Sequence, residues 1–283
     1  MSRLTKLSVL LLMLCCGLTA HSRKAPARPA AAPYLCADTL VIPAGTRSLR
    51  AFQFADRKDF SAVRFDSPCR LSAIGEYAFL GCANLESIDL PASVVKLGEG
   101  TFRECSSLKQ VNIRGAVTEL PKEIFEWCSG LRSVQLPASL RDIGSRAFTY
   151  CTNLEAISIP GGVTHIGSNA FGFCSQLREV EVPDAVKELE SYAFAECENL
   201  QKAKLPANNS LLGELIFSGC RSLRILKEPS RIPPLFDCES TPFEESETEL
   251  YEQCTLIVPQ SAAAAYRSAA GWNRFTDIST ISK

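Results

Sequence analysis

Residues 147–160 read AFTYCTNLEAISIP, and close variants of this stretch begin at residues 78, 170 and 193. Each variant keeps the frame Phe-x-x-Cys-x-x-Leu. A regular internal repeat outweighs any local motif, because it means that one structural unit is stacked on copies of itself. The stretch therefore raises a question about its cysteine. One answer gives the cysteine a chemical role, as a metal ligand, a disulfide partner or a redox centre. The other makes it a small apolar side chain in a core.

The repeat has a period of 23 residues, and its phenylalanine, cysteine and leucine each occur in seven consecutive units. One unit alone cannot bury its apolar face, so such a chain gains stability from contacts between neighbouring units. Seven uninterrupted units therefore predict a solenoid. The three repeated positions, which we call the ladder, are Phe79, Phe102, Phe125, Phe148, Phe171, Phe194 and Phe217; Cys82, Cys105, Cys128, Cys151, Cys174, Cys197 and Cys220; and Leu85, Leu108, Leu131, Leu154, Leu177, Leu200 and Leu223.

Two shorter periodicities divide each unit. The apolar residues of 147–154 stand at i, i+1, i+4 and i+7, which predicts one buried face of a short helical segment. In 156–159, isoleucine alternates with Ala156 and Ser158, which predicts a short strand with one buried face. Pro160 ends this strand because proline cannot donate to a ladder of hydrogen bonds. Each unit is therefore predicted to be a strand, a turn, a short helix and a turn.

Stacking of such units predicts a curved molecule. Parallel strands pair at about 4.8 Å, whereas helical segments pack at roughly 8–10 Å. The mismatch places the strands on the concave side. We therefore predict an α/β repeat solenoid with a parallel concave β-sheet of about ten short strands and short helical segments on the convex side.

The full unit, L-x-x-I-x-L-P-x-x-V-x-x-I-G-x-x-A-F-x-x-C-x-x-L, resembles the BspA-like, spirochaete-type bacterial leucine-rich repeat. The resemblance covers residues 40–275. It implies a secreted or cell-surface bacterial protein, and some members of that family act as adhesins toward host extracellular-matrix proteins. No catalytic residues come with this family.

The first part of the chain differs from the rest. Residues 1–20 have two basic residues, a short apolar run and small residues that end at Ala20, as in a secretory signal peptide cleaved near that point. A lipid anchor on Cys15 or Cys16 is the less favoured alternative, because the residue before the modified cysteine would not be small. The apolar run is too short to span a bilayer comfortably, and no second apolar segment follows, so no membrane span is predicted.

The remaining sequence predicts four further segments. Residues 21–34 are rich in alanine and proline and are predicted to be a linker. Residues 35–75 are interpreted as N-terminal capping and degenerate repeats, and residues 76–236 as the seven regular repeats. Residues 237–283 are interpreted as an acidic loop followed by a C-terminal cap. The formal net charge of −1 gives no electrostatic reason to expect a nucleic-acid partner.

The ladder cysteines are predicted to be core residues. Zinc sites take ligands from closely spaced cysteine pairs, whereas these cysteines are 23 residues apart. A separation of roughly 8–10 Å between helical segments would prevent disulfides between units. A cysteine between buried phenylalanine and leucine acts as a small apolar side chain. Outside the ladder, the pairs Cys238–Cys254 and Cys36–Cys69 are left open as disulfides.

The first candidate interaction surface is a run of aromatic residues directly before three ladder cysteines. Trp127, Tyr150 and Phe173 occupy this position in consecutive units, and we call them the aromatic stripe. Contiguous exposed aromatic side chains are typical of interaction sites. Packing between neighbouring helical segments is the alternative interpretation.

The second candidate surface is formed by the outward positions of the predicted strands. It is polar in the middle, and acidic residues stand beside basic residues toward its C-terminal end. These side chains either pair across strands or form a ligand-binding surface, which is the usual role of a solenoid's concavity. The candidate partner-binding residues are Asn112, Gln135, Ser158, Glu179, Glu181, Lys202 and Lys204.

Motifs for catalysis are absent from the sequence. His21 and His165 are the two histidines, no G-x-S-x-G accompanies them, and there is no phosphate-binding glycine motif. We therefore predict no enzyme, cofactor or metal site. The favoured function is a recognition or adhesion protein that binds an extracellular protein or glycan. The alternatives are a structural spacer or envelope-assembly module, and a thiol-active enzyme; the sequence does not fix the oligomeric state.

Overall fold

The computed structural model describes residues 32–208, 211–234, 243 and 248–281. The predicted signal peptide, most of the linker and most of the acidic loop lie outside these residues. The strands are β1 Tyr34–Cys36, β2 Thr39–Ile42, β3 Ser48–Leu49, β4 Ala62–Phe65, β5 Ala73–Ile74, β6 Ser87–Leu90, β7 Lys96–Leu97, β8 Gln110–Ile113, β9 Glu119–Leu120, β10 Ser133–Gln135, β11 Asp142–Ile143, β12 His165–Ile166, β13 Glu179–Glu181, β14 Glu188–Leu189, β15 Lys202–Lys204, β16 Leu211–Leu212, β17 Ile225–Lys227, β18 Thr255–Pro259 and β19 Asp277–Ile281. The helices are α1 Thr248–Gln253 and α2 Ala263–Ser268, with 3₁₀ turns at Gln260–Ala262 and Trp272–Arg274.

The longer strands form the concave side of the solenoid. They pair in the order β1-β2-β4-β6-β8-β10 and, in a second sheet, β13-β15-β17-β18-β19. Pairing is parallel, except that β1 and β2 are antiparallel. In the regular units, each residue pairs with the residue 23 positions away, as Ser133 does with Gln110. The prediction of a parallel repeat solenoid is therefore confirmed.

The strand predicted at 156–159 does not form. This segment has no ladder partner in the unit before it or in the unit after it, so the concave side is divided into two sheets at this point. Its inward residue Ile157 is half-buried, whereas the equivalent residues Val111 and Val180 are buried. The apolar alternation was correct, but the backbone does not come close enough to its neighbours to bond.

A second set of strands was not predicted. Two-residue strands follow the first turn of each unit and pair in the orders β3-β5-β7 and β9-β11-β12-β14-β16. Ile143 pairs with Ile166 and Ile166 with Leu189, and all three are buried. These short strands form a second wall of the core.

The predicted convex helices are wrong, because these segments are successive turns. The N–H of Cys151 donates to the carbonyl of Phe148 at 3.0 Å, but the N–H of Phe148 donates to Ala170 of the next unit at 2.7 Å. Tyr150 also donates to the next unit, at Gly172. Because alternate N–H groups are used between units, an α-helical i→i−4 pattern cannot form. In the part of the chain that the structure describes, the α-helices are α1 and α2.

The predicted wide spacing on the convex side is also wrong. Successive ladder phenylalanine rings from Phe79 to Phe217 have centroids 5.1–5.9 Å apart. This spacing is close to the strand spacing of about 4.8 Å and far from the predicted 8–10 Å. Distance alone therefore does not prevent disulfides between ladder cysteines.

The ladder forms the core of the molecule. Its phenylalanine, cysteine and leucine side chains are 0–1% exposed. From Cys105 to Cys220, each cysteine Sγ lies 3.0–3.3 Å from the carbonyl oxygen of the phenylalanine in the preceding unit. From Phe79 to Phe171, each of these carbonyls also accepts the backbone N–H of the cysteine three residues later, so the thiol adds a second hydrogen bond to a carbonyl that already has a partner.

Aromatic side chains close the C-terminal end of this core. Phe243 stacks on Phe217 with centroids 6.1 Å apart and meets Trp272 and Phe275 edge to face. The indole N–H of Trp272 donates to the carbonyl of Pro234 at 3.0 Å. The last ladder ring is therefore covered by apolar surface rather than by water.

Candidate functional site

The outward positions of the longer strands form what we call the concave face. Its side chains are exposed or half-exposed, while the residues between them point into the core. Parallel pairing places Asn112 beside Gln135, Glu179 beside Lys202, and Glu181 beside Lys204. Ser158 lies in the gap between the two sheets. The face comprises Ser87, Asp89, Gln110, Asn112, Ser133, Gln135, Ala156, Ser158, Glu179, Glu181, Lys202 and Lys204.

The C-terminal part of the concave face is ion-paired. Lys202 Nζ lies 2.7 Å from Glu179 Oε1, so charges on neighbouring strands pair as the sequence suggested. Lys204 Nζ instead lies 3.1 Å from Asp184 Oδ1 in the turn after β13. Glu181 has no ion-pair partner among the described residues. The sequence did not reveal the contact with Asp184, because it depends on how the turn folds back over the strand.

The N-terminal part of the concave face is ion-paired as well. Lys109 Nζ lies 2.8 Å from Glu86 Oε2, and the guanidinium of Arg114 contacts the carboxylate of Asp89. All four side chains are more than half exposed. Each such pair therefore contributes about 0–1 kcal/mol to stability.

The middle of the concave face is neutral. Gln110, Asn112, Ser133, Gln135 and Ser158 are exposed or half-exposed and carry amide or hydroxyl groups. Within the described residues, their side chains make no intramolecular hydrogen bond. The backbone groups of the gap at 156–159 also lack protein partners there. This region therefore has hydrogen-bonding groups that only solvent or a ligand can satisfy.

The aromatic stripe is a tight stack on the convex side. Ring centroids of Trp127 and Tyr150 are 3.8 Å apart, and those of Tyr150 and Phe173 are 4.4 Å apart, with nearly parallel planes. Trp127 is 45% exposed, and the other two rings are half-buried. Because the rings cover one another's faces, they present mainly their edges to solvent. This geometry supports the packing interpretation, and the binding hypothesis stays a prediction.

The backbone at the stripe is left-handed, which the sequence interpretation missed. Trp127, Tyr150 and Phe173 have φ of 62°, 61° and 60°. The same position is glycine in the outer units, at Gly81 and Gly219, also with positive φ. Those two glycines were the signal in the sequence, since glycine adopts this conformation without steric cost.

His165 belongs to an ion-pair cluster on the short strands. Its Nδ1 lies 2.9 Å from Asp142 Oδ2 and its Nε2 lies 2.9 Å from Glu190 Oε1. Ser168 donates both its N–H and its hydroxyl to Glu190 Oε2. Burial lowers the pKa of His165, but the hydrogen bonds and charges of Glu190 and Asp142 outweigh this, so the pKa is raised. Both ring nitrogens are engaged by carboxylates, which does not suit a general base.

A buried charge cluster lies beside the stripe and was not predicted. Arg103 Nη1 lies 2.7 Å from Glu123 Oε2, and Arg103 Nε lies 3.1 Å from Glu126 Oε2. Both glutamate side chains are 6% exposed. Burial raises the pKa of Glu126, although the charge of Arg103 acts in the opposite direction. Its sequence signal is weak, because the three residues come from two different repeat units.

The ladder thiols are chemically inert in this environment. Burial raises the pKa of Cys128 and Cys151 well above the usual range and that of Cys197 to about 12. Thiolate, the reactive form, is therefore scarce at neutral pH. Cys36 and Cys69 are separate thiols.

The remaining predicted features concern disulfides, metals and membranes. Cys254 is a buried thiol, and Cys238 lies outside the described residues. No cluster of three or more His, Cys, Asp or Glu suited to a metal ion occurs in the described ranges. The helices found in those ranges are too short or too polar to cross a membrane.

Comparison with known proteins identifies the repeat. A family model described as the BspA type leucine rich repeat region matches residues 34–155 and 107–224 in six copies. The T. pallidum leucine rich repeat protein TpLRR is 26% identical with a TM-score of 0.52, over 65% of this chain and 82% of that one. A leucine-rich repeat protein from Eubacterium ventriosum is 24% identical with a TM-score of 0.50, over 54% of this chain and 40% of that one. No curated protein matches the chain.

The matched residues make up more than half of the chain. They also contain the whole ladder, from Phe79 to Leu223. The buried phenylalanine, cysteine and leucine of the ladder perform the same packing role in each of the seven units. The protein belongs to the BspA-type leucine-rich repeat family.

Proposed function

We propose that the protein is a secreted or cell-surface recognition protein without enzymatic activity, which binds an extracellular macromolecule through its concave face. The observation that carries this proposal is the contrast between the two sides of the longer strands. The inward side is largely apolar and buried. The outward side is exposed and changes in chemistry from one unit to the next. The outward positions differ between units, so their side chains can distinguish one partner from another, whereas the repeated buried residues cannot.

The fold suits this role because it holds the side chains of the concave face in a fixed array. Parallel ladders set neighbouring units about 4.8 Å apart, so a partner meets groups whose positions are already ordered. Preordering lowers the entropy cost of binding, which is a large part of the free energy of association. The signal-peptide-like residues 1–20 support an extracellular location.

The test is a binding screen of the chain without residues 1–20 against extracellular-matrix proteins and glycans. A variant with Gln135, Ser158, Glu181 and Lys204 changed to Ala removes side chains from the concave face without altering the core. We expect this variant to bind at least about tenfold more weakly, which corresponds to about 1.4 kcal/mol.

The matched control changes Trp127, Tyr150 and Phe173 to Ala, and we expect it to bind like the unmodified protein. Equal binding by the concave-face variant would reject the concave face as the binding surface. Loss of binding in the stripe variant alone would move the site to the convex side.

A structural spacer is a second candidate, and one observation favours it. Among the residues that the structure describes, β19 is the outer strand of its sheet and pairs with β18 alone, and its Ile281 is 48% exposed. Exposed edge strands with few charges tend to pair with other chains. Sedimentation over a range of concentrations distinguishes the candidates, because a spacer self-associates, whereas a recognition protein of the proposed kind stays monomeric and binds a soluble ligand.

A further inference from the structure

We infer that the middle of the concave face binds a neutral, hydroxyl-rich glycan. This inference rests on the proposed function and specifies the ligand class for the same face. The residues concerned, which we call the central patch, are Gln110, Asn112, Ser133, Gln135 and Ser158. They span three consecutive units, a width of about 10 Å at the spacing of parallel strands.

The first argument is the hydrogen-bonding capacity of the central patch. An amide side chain offers two N–H donors and an acceptor oxygen, and a hydroxyl both donates and accepts. In the described part of the chain, none of the five side chains uses these groups in an intramolecular bond. Sugar hydroxyls also donate and accept, so a saccharide can match such a mixed array.

The second argument is the distribution of charge. The ion pairs Glu86–Lys109 and Asp89–Arg114 flank the patch on one side, and Glu179–Lys202 flanks it on the other. The central patch itself contains no charged side chain. Just before the strands, in the register of Lys109, stand Arg132, Glu155 and Arg178. They form no ion pair among the described residues, and they carry charges of both signs. A neutral ligand therefore suits the patch better than an acidic one.

The third argument is the gap in the sheet at 156–159. Its backbone N–H and C=O groups have no partner among the described residues, and its outward residues Ala156 and Ser158 are exposed. In the free protein such groups bond to water. Hydroxyl groups of a ligand can replace those waters without leaving the backbone unsatisfied.

The fourth argument separates a glycan from a protein partner. The cores of protein interfaces are enriched in aromatic and other large apolar anchors that fill pockets. The outward side chains of the patch include no such residue, and the half-buried Ile157 points inward between the sheets. The patch therefore offers polar groups without the apolar anchor that a protein interface needs.

The experiment measures binding of neutral polysaccharides, of uronic-acid-containing or sulfated polysaccharides and of matrix proteins to the chain without residues 1–20, by calorimetry and glycan array. Two variants remove the patch: Asn112→Ala with Gln135→Ala, and the nearly isosteric Gln135→Glu. The control variant Glu119→Gln with Glu188→Gln changes exposed residues of the short strands β9 and β14 instead. Circular dichroism verifies that each variant is folded.

We expect a neutral glycan to bind the unmodified protein and the control variant equally, with little dependence on salt. Both patch variants should bind at least about tenfold more weakly. Binding of acidic glycans alone, with affinity that falls steeply with salt, would overturn the inference. Binding of a protein but of no glycan would overturn it while leaving the proposed function intact, and absence of any soluble ligand would count against both.

Discussion

Two aromatic stacks run side by side through the same units of this solenoid, one inside and one outside. The inner stack belongs to the ladder, and its rings are fully buried with centroids 5.3 and 5.1 Å apart in these units. The outer stack is the aromatic stripe, with centroids 3.8 and 4.4 Å apart. The two stacks consist of Phe125, Phe148 and Phe171 inside, and Trp127, Tyr150 and Phe173 outside.

The difference shows that similar ring stacking has different energetic consequences in the two places. An inner ring removes a large apolar area from water, and its backbone is not strained. An outer ring stays partly in water and sits on a left-handed backbone with φ near 60°. Such a backbone costs a residue with a Cβ about 1–2 kcal/mol, whereas stacking returns about 0.5–1.5 kcal/mol. The inner stack therefore determines stability, and the outer stack contributes little net.

The largest expected effect comes from deleting an inner ring. Phe148→Ala leaves a cavity between Phe125 and Phe171, and we expect it to lower the free energy of unfolding by about 3–5 kcal/mol. The matched outer change, Phe173→Ala, should lower it by less than about 1 kcal/mol. Urea denaturation of both variants measures the difference. Equal losses would contradict the division between the two stacks.

A buried carboxyl group next to the C-terminal cap provides the next effect. Glu228 is 1% exposed and accepts a hydrogen bond from the N–H of Ser230, and burial raises its pKa to about 7. In the unfolded chain it titrates near its ordinary value of 4.5. Between these values the folded state binds more protons than the unfolded state, so stability falls as pH rises and the loss is complete above pH about 7.

Glu228→Gln removes this loss. We expect the variant to match the unmodified protein near pH 4 and to be more stable by about 2–3 kcal/mol near pH 8. Thermal unfolding measured across this range gives the comparison, with Glu252→Gln, an exposed change in the same cap, as control. A stability difference that does not grow with pH would show that the carboxyl group is not protonated in the folded state.

The ladder cysteine gives a smaller effect. Cys151 Sγ lies 3.2 Å from the carbonyl oxygen of Phe125. Serine keeps a donor there but buries a more polar group with a shorter reach, so Cys151→Ser should cost about 1–2 kcal/mol. Cys36→Ser, at an exposed site, should cost nothing measurable. If both changes were neutral, the thiol hydrogen bonds would not contribute to the core.

Sequence reasoning recovered the inner stack more fully than the outer one. A constant period fixes which residues share a register, so the burial of Phe148 and Cys151 followed directly from the repeat. The spacing that suggested helices is equally compatible with turns, because a sequence does not reveal that the N–H of Phe148 bonds to the next unit. The gap around Ser158 and the contact of Lys204 with Asp184 depend on distances between units, which leave no trace in a single sequence.

The smallest expected effect tests the outer stack through its backbone. At an ordinary exposed position, glycine is less stable than alanine, because it loses more backbone entropy on folding. At position 150 the order should reverse. Tyr150→Gly and Tyr150→Ala both remove the ring, but alanine retains the strain at φ 61°, so glycine should be more stable by about 1 kcal/mol. The pair Glu155→Gly and Glu155→Ala is the control and should show the usual order.

Urea denaturation of the four variants decides between two views of the stripe. A reversed order at position 150 means that the backbone, and not the ring, limits stability there. If alanine were more stable than glycine by the same margin as at position 155, the left-handed position would carry no strain, and stacking alone would make the stripe a stabilising element like the ladder.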